Sequence, residues 1–173
     1  MHTNQQTGLV AILIGVTLLA YLPVIHADYL WDDDRYVWDN DTLKTVDGLG
    51  RIWFDIGATP QYYPLVHTTH WLEYRLWGVD PTGYHVVNVL LHIGSVLLLW
   101  RLLGRLAVPG AWVVAMVFAL HPIYAEALVW LSQRKTVLHS VFYLGSMIAF
   151  LRYVDAPRSA RRWYVLALLL FLC

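Results

Sequence analysis

The sequence predicts an all-α integral membrane protein, a polytopic bundle of about five helical spans with a long external loop that carries interfacial helices. Of the 173 residues, 58% are hydrophobic and only 14% are charged, against roughly 25% charged residues in a soluble domain. Uncharged runs long enough to cross a bilayer recur along the chain. Because 12 basic and 12 acidic side chains give a net charge of zero, no basic excess points to a nucleic-acid partner.

The first span is predicted at about 8–25. This uncharged run has 18 residues, close to the roughly 20 that a helix needs to cross the hydrocarbon core. A cleaved signal peptide is the alternative. Residues 1–7 carry no Lys or Arg, however, and the apolar run is longer than the usual ~7–15 residues of a signal core. We therefore expect a retained span.

Four further apolar segments predict the remaining spans. The third of the five meets His121 and Pro122 only 13 residues after its start at Val108, which is too short to cross alone. Because proline removes a backbone donor, we expect a break there. The last segment ends with the sequence, which predicts a fragment of a longer membrane protein. The segments lie at about 84–103, 108–131, 136–154 and 162–173.

The distribution of charge predicts the orientation, because cytoplasmic loops retain Lys and Arg. With a cytoplasmic amino terminus, 11 of the 12 acids, all except Asp155, fall on the non-cytoplasmic face. The loop 26–82 then lies outside, in a bacterial inner membrane or in the endoplasmic reticulum. The cytoplasmic face receives six arginines: Arg101, Arg105, Arg152, Arg158, Arg161 and Arg162.

The long loop is rich in Trp and Tyr, which favour the membrane–water interface. Two interfacial helices are predicted in it. One covers 65–77, with apolar residues at helical intervals and Gly78 where a helix would end. The other covers 47–56, with Ile52, Trp53 and Ile56 on one side.

Three adjacent carboxylates, Asp32, Asp33 and Asp34, follow the first span closely. Like charges and partial desolvation raise the pKa of at least one such carboxyl toward a value useful in proton transfer. The cluster therefore suggests a general base. The alternative is a solvated acidic turn, or a helix cap, that only keeps the loop outside.

Polar residues inside the predicted spans form two further groups. His85, Asn88 and His92 recur at intervals of three and four, so they share one helical face. That face either hydrogen-bonds neighbouring helices or contacts a ligand. His67 and His70 offer a weak metal or phosphate pair, with plain surface as the alternative.

Charged residues also gather after Pro122. A restarted helix would put Glu126, Trp130 and Arg134 on one face at intervals of four. In the functional interpretation, Arg134 or Lys135 holds an anionic headgroup at the outer interface. In the structural one, Glu126 and Arg134 only neutralise each other.

Four motifs together resemble one family. In order they read WDDDRYV, YYPLVH, LWGVDPTGYHVVNVLLH and LHPIYAEALVWLSQRK, at 31–37, 62–67, 76–92 and 120–135. They resemble the amino-terminal part of polytopic GT-C glycosyltransferases. Within that superfamily they are most similar to membrane proteins that carry tetratricopeptide repeats, whose animal members are O-mannosyltransferases. Such repeats would lie beyond residue 173.

The resemblance implies transfer of a sugar from a polyprenyl-phosphate donor to a hydroxyl of a protein or glycan acceptor on the non-cytoplasmic face. The donor tail and the chain would share the membrane lipids. The catalytic acidic pair of the family falls on Asp32 and Asp33. In this family mechanism, cations or a divalent metal stabilise the leaving phosphate. The resemblance implies no other cofactor and does not decide whether a metal is needed. On this resemblance we expect Arg134, Lys135 and His121 to bind the donor phosphate, and Asp34, Glu126, His85, Asn88 and His92 to be supporting polar residues.

The resemblance also limits what this piece does by itself. Enzymes of this family need later spans to enclose the donor, so we expect the 173-residue piece to be inactive alone. The competing function is a non-catalytic membrane scaffold or a transporter fragment. In that case the acidic loop only sets topology, and the histidine stripe only joins helices.

Overall fold

The structure is a computed structural model that describes residues 2–155 and 160–173, and every regular element in those ranges is a helix. The predicted all-α fold is therefore confirmed. Two 3₁₀ turns, Leu22–His26 and Leu131–Gln133, interrupt the α-helices. The α-helices are α1 (His2–Tyr21), α2 (Asp33–Tyr36), α3 (Asp41–Lys44), α4 (Gly48–Phe54), α5 (Pro64–Trp77), α6 (Pro81–Arg105), α7 (Ala111–Leu120), α8 (Ile123–Val129), α9 (Arg134–Asp155) and α10 (Ala160–Leu172).

Among the residues that the structure describes, three helical segments are long and apolar enough to cross a membrane: Asn4–His26, Pro81–Arg105 and Leu131–Asp155. They have 23, 25 and 25 residues, against the roughly 20 that a span requires. They coincide with the predicted first, second and fourth spans. The chain is therefore a membrane protein. The length of its uncharged runs was enough to predict these three helices from the sequence.

The third predicted span is broken at the expected place. Helices α7 and α8 are bent by 55°, and His121 between them is extended, with φ −66° and ψ 125°. The residue before a proline is disfavoured in helical geometry, which explains the break at Pro122. The pair is either one broken span or a re-entrant segment. The predicted fifth span corresponds to α10, whose 13 residues give only about 20 Å of helix.

The chain divides into two compact units. The span unit contains Met1–Ala20, Leu90–Pro122 and Val137–Cys173, and the loop unit contains Tyr21–Val89 and Ile123–Thr136. Small residues of α7 fill the core of the span unit, because Ala115 and Ala119 are fully buried with Leu13 and Val96. A second apolar cluster of this unit joins α6 to α9 through Leu102, Leu144 and Ile148.

An ion pair joins the ends of α6 and α9, which the sequence analysis predicts to lie on one face of the membrane. Arg105 Nη2 lies 2.5 Å from Asp155 Oδ2. Arg152 stacks over the ring of Trp163, with its guanidinium 4.5 Å from the ring centre. Arg158, also predicted on that face, lies outside the described residues.

The loop unit has its own apolar core, built around Tyr36, Val37, Leu43, Ile52, Tyr84 and Leu131. Both predicted loop helices exist, as α4 and α5, but the common face predicted for α4 does not form. Ile52 is buried whereas Ile56 lies beyond the helix and is 84% exposed, so these two do not share a side. On α5, Leu72 and Leu76 are exposed, which fits an interfacial surface.

Gly48 is expected to be essential for the packing of α3 against α4. A Cβ atom at this buried position would collide with the backbone carbonyl of Thr42, whereas a Cβ at Gly50 meets nothing. Gly48→Ala should therefore lower the unfolding free energy by about 1–3 kcal/mol. Gly50→Ala should leave it unchanged or raise it by about 0.5–1 kcal/mol. Thermal unfolding of both variants in detergent checks this, and equal effects would contradict it.

Candidate active site

The acidic turn after the first span is tied to the segment that follows α8. Asp33 is completely buried, and its carboxylate accepts three backbone hydrogen bonds. Leu30 N and Leu131 N donate to Oδ2, each at 3.1 Å, and Ser132 N donates to Oδ1 at 2.8 Å. Burial raises the pKa of Asp33, and these backbone donors lower it in part. The carboxylate therefore holds two segments together.

Asp32 occupies a different environment from its neighbour. It is half-buried, and Trp130 Nε1 donates to its Oδ1 at 2.8 Å. Asp34 is exposed, and its carboxylate accepts the amide of Arg35 at 2.8 Å. The three adjacent carboxylates thus have three separate surroundings, and Asp32 is the one that is both held in place and accessible.

A cation and several polar groups lie in the same unit as Asp32. Lys135 Nζ is 3.3 Å from Gln61 Oε1, and Tyr36 donates its hydroxyl to the same oxygen at 2.9 Å. The ammonium also lies 5.2 Å from the ring centre of Tyr63. Burial raises the pKa of Tyr36, and the negative charge of Asp32 raises it further. The charge of Asp32 therefore affects the ionisation of the Tyr36 hydroxyl. Tyr36 and Lys135 both contact Gln61 Oε1.

Arg134, which the sequence analysis expects to bind a donor phosphate, has its side chain inside the protein and not at its surface. The side chain is completely buried. It forms an ion pair with Glu73, donates from Nε to Asn88 Oδ1 at 2.7 Å and from Nη2 to the carbonyl of Tyr84 at 2.8 Å. The hydrogen-bond donors of Arg134 are engaged inside the protein. Of Arg134 and Lys135, Lys135 is therefore the cation that reaches the surface.

The predicted common face of Glu126, Trp130 and Arg134 does not form either. Helix α8 ends at Val129, and Trp130 is extended, with φ −93° and ψ 108°. Glu126 is exposed at the edge of a cavity of about 170 Å³, whereas Arg134 is buried. The two do not neutralise each other. His121, the other predicted phosphate ligand, caps the end of α7 and is exposed.

The histidine stripe of α6 is buried, as its position in a span predicts. His85 Nδ1 and Asn88 Nδ2 both donate to the carbonyl of Leu128, at 3.4 and 3.0 Å. His92 Nε2 donates to the carbonyl of Ala119 at 3.1 Å. These bonds satisfy carbonyls near the ends of α7 and α8. The stripe therefore joins helices, which is the first of its two predicted roles.

The polar face of α5 is the feature that the sequence analysis missed. His67, His70 and Glu73 are buried, so the surface interpretation of the two histidines is wrong. His67 Nε2 donates to the carbonyl of Gln61 at 3.0 Å. Burial raises the pKa of Glu73 to about 7 although Arg134 opposes this. The recurrence of these polar residues every three positions was the available signal, opposite the exposed leucines.

Among the residues that the structure describes, no group of three or more His, Cys, Asp or Glu side chains is arranged to hold a metal ion. His67 and His70 meet edge to face, with 6.1 Å between their ring centres. Among the described residues, no third side chain of these types joins them in a metal-binding arrangement.

Comparison with known proteins gives the family context. Protein O-mannosyl-transferase tmtc2 of Xenopus laevis is 32% identical over 147 residues, which cover 79% of this chain and 18% of the relative. TMTC2 of Mus musculus is 31% identical over 90% of this chain and 20% of its own length. TMTC3 of Homo sapiens is 27% identical over 94% and 19%. The chain thus spans about a fifth of the length of the relatives it matches.

These relatives confirm the resemblance to the tetratricopeptide-repeat-containing transmembrane O-mannosyltransferases, to which the chain is related over most of its length. No family model matches the chain. No solved structure matches it. Membership of the wider GT-C superfamily stays a prediction.

The buried His67 should make the protein less stable in acid. Burial lowers its pKa to about 4, so between about pH 4 and 6.5 the unfolded chain binds more protons than the folded one. The stability that neutral His67 contributes is fully present above pH 6.5 and is lost as the pH falls toward 4. His67→Gln keeps a donor for the carbonyl of Gln61 but does not titrate. Between pH 7 and 4.5 the wild type should lose about 2–3 kcal/mol more than the variant.

Chemical unfolding in detergent at both pH values measures this difference. Glu73 titrates in the opposite sense, because its pKa is raised, and its contribution falls as the pH rises from about 4.5 to 7. Comparison of the variant with the wild type removes that shared contribution. Parallel pH profiles for the two proteins would contradict the assignment of His67.

Proposed function

We propose that the chain carries the proton-accepting and phosphate-binding groups of a glycosyltransferase that moves a sugar from a polyprenyl-phosphate donor to a hydroxyl. The names of the relatives support mannose as the sugar and a protein as the acceptor. One observation carries the proposal: the segment 130–135 provides both Trp130, which fixes the Asp32 carboxylate, and Lys135, which reaches the surface. An acid and a cation are thus held by one short stretch of backbone.

Asp32 is the proposed general base. Its carboxylate accepts the proton of the acceptor hydroxyl while that oxygen attacks the anomeric carbon of the donor sugar. The bond between that carbon and the phosphate oxygen breaks, and its electron pair leaves with the lipid phosphate. A single displacement of this kind inverts the configuration of the sugar.

Asp33 is proposed as a positioning residue and not as the base. Its carboxylate accepts three backbone donors, so a proton on it would weaken the bonds that hold the site. Of the acidic pair, Asp32 retains the predicted catalytic role. Asp34 is exposed and serves as the natural control.

Lys135 is proposed to stabilise the charge that develops on the leaving phosphate. Lysine binds phosphate as a point charge, and such electrostatic stabilisation acts where charge develops in the transition state. Gln61 and Tyr63 hold the ammonium at the surface. The buried Arg134 precedes Lys135 in the sequence, and its hydrogen bonds fix the backbone beside Lys135.

The proposed location is the non-cytoplasmic face. A donor whose tail stays in the bilayer presents its sugar phosphate at the water boundary, where the acids of the loop 26–82 would meet it. The excess of arginine near the other ends of the spans supports this orientation.

Asp32→Asn in the complete protein should lower sugar transfer about 10²- to 10⁴-fold, because it removes the proton acceptor but keeps an acceptor oxygen for Trp130. Asp34→Asn should leave transfer near the wild-type rate. Transfer is measured with radiolabelled donor lipid in membranes, and membrane insertion is checked in parallel. Unchanged transfer by Asp32→Asn would remove the catalytic assignment.

Lys135→Met should weaken the binding of donor about ten- to a hundred-fold, since a charge-assisted contact to phosphate is lost. Lys44→Met is the matched control, because Lys44 is exposed and pairs with Asp41 on α3. Donor titration of the transfer rate gives KM and kcat for both variants. Equal kinetics for Lys135→Met and wild type would exclude Lys135 from the phosphate site.

A further inference from the structure

Trp31 combines an unusual backbone conformation with an exposed side chain. Its φ is +49°, which only one other described non-glycine residue, Ala107, matches in sign. The residue is 81% exposed. A bulky residue in the left-handed region is an outlier, and most of the surface of this residue is not covered by the rest of the protein.

The turn around Trp31 is one that would favour glycine. Asp33 N donates to the carbonyl of Leu30 at 3.0 Å, closing a turn with Trp31 and Asp32 in the middle. A positive φ at the first central position of a turn is a glycine preference. The bond from Leu30 N to the Asp33 carboxylate closes the turn a second time. The buried carboxylate therefore holds Trp31 in a conformation that glycine would adopt without strain.

The indole of Trp31 stands beside the proposed base. Its ring centre lies 4.8 Å from that of Trp130, with the two planes at 85°. Trp130 in turn donates to Asp32. The exposed aromatic surface is therefore one residue along the chain and one ring contact away from the carboxylate.

We propose that Trp31 is a sugar-binding residue that packs against the sugar ring of the lipid-linked donor; this rests on the function proposed above. A hexopyranose has a face of C–H groups, and an indole offers a large flat surface whose electron-rich face attracts such hydrogens. Strained residues that their surroundings hold in place concentrate at ligand sites. The ring then orients the anomeric carbon toward Asp32, while Lys135 binds the phosphate.

A role as a simple membrane anchor does not account for this geometry. Anchoring at the interface needs an exposed tryptophan but no left-handed backbone. Trp38 is 56% exposed in the same loop without a positive φ. It is therefore the matched control for an exposed tryptophan away from the Asp32 contact.

The test measures binding of two probes by the complete protein in detergent: short-chain polyprenyl-phosphate mannose, and the same polyprenyl phosphate without sugar. Trp31→Gly should weaken binding of the sugar-bearing lipid about tenfold or more and leave binding of the sugar-free lipid unchanged. Lys135→Met should weaken both. Trp38→Gly, the same substitution at the control position, should change neither. Thermal stability of Trp31→Gly should equal or exceed that of the wild type, and Trp31→Asn, which also tolerates a positive φ, is the second variant.

Three results separate the possible failures. Equal weakening of both lipids by Trp31→Gly would show a lipid anchor and overturn the proposal. Unchanged binding of both would overturn it as well. Wild-type protein that binds neither lipid would instead contradict the proposed function, on which the role of Trp31 depends.

Discussion

The candidate site depends on one buried carboxylate. Asp33 joins the turn that follows the first span to backbone amides 98 and 99 residues further along the chain. A desolvated carboxylate is unfavourable unless hydrogen bonds compensate it, and here three backbone donors do so. The requirement fixes Leu131 and Ser132 beside the turn. Trp130 and Lys135 are positioned because they flank those residues in sequence.

Arg134 is a second buried charge that helps to position the segment 130–135. Arg134 reaches Asn88, Glu73 and the carbonyl of Tyr84, so it links the start of α9 to α5 and α6. Buried ion pairs add little net stability, but loss of one partner leaves an uncompensated charge that costs about 3–5 kcal/mol. The pair therefore specifies the structure more than it strengthens it. Its effect on chemistry is indirect, through the position of Lys135.

Sequence reasoning located the spans because their signal is local. Uncharged length placed α1, α6 and α9, and the chemistry of Pro122 placed the break between α7 and α8. The partner of Arg134 was out of reach, because Glu73 lies 61 residues away and Glu126 had the spacing of a helical neighbour. The helical spacing from Glu126 to Arg134 does not apply in the structure, because α8 ends at Val129 and Trp130 is extended. Trp130 donates to Asp32 instead. The inward polar face of α5 was likewise misjudged, because His and Glu on a loop helix normally indicate solvent.

Hydrogen exchange at the amides of Leu131 and Ser132 tests the central claim most directly. If Asp33 holds this segment, both amides exchange slowly in the wild-type protein and become fast when Asp33 is replaced by Ala, which removes both acceptor oxygens, while amides in the middle of α9 keep their protection. Fast exchange at Leu131 and Ser132 in the wild type would contradict the account, since nothing would then fix Asp32 and Lys135 in one site.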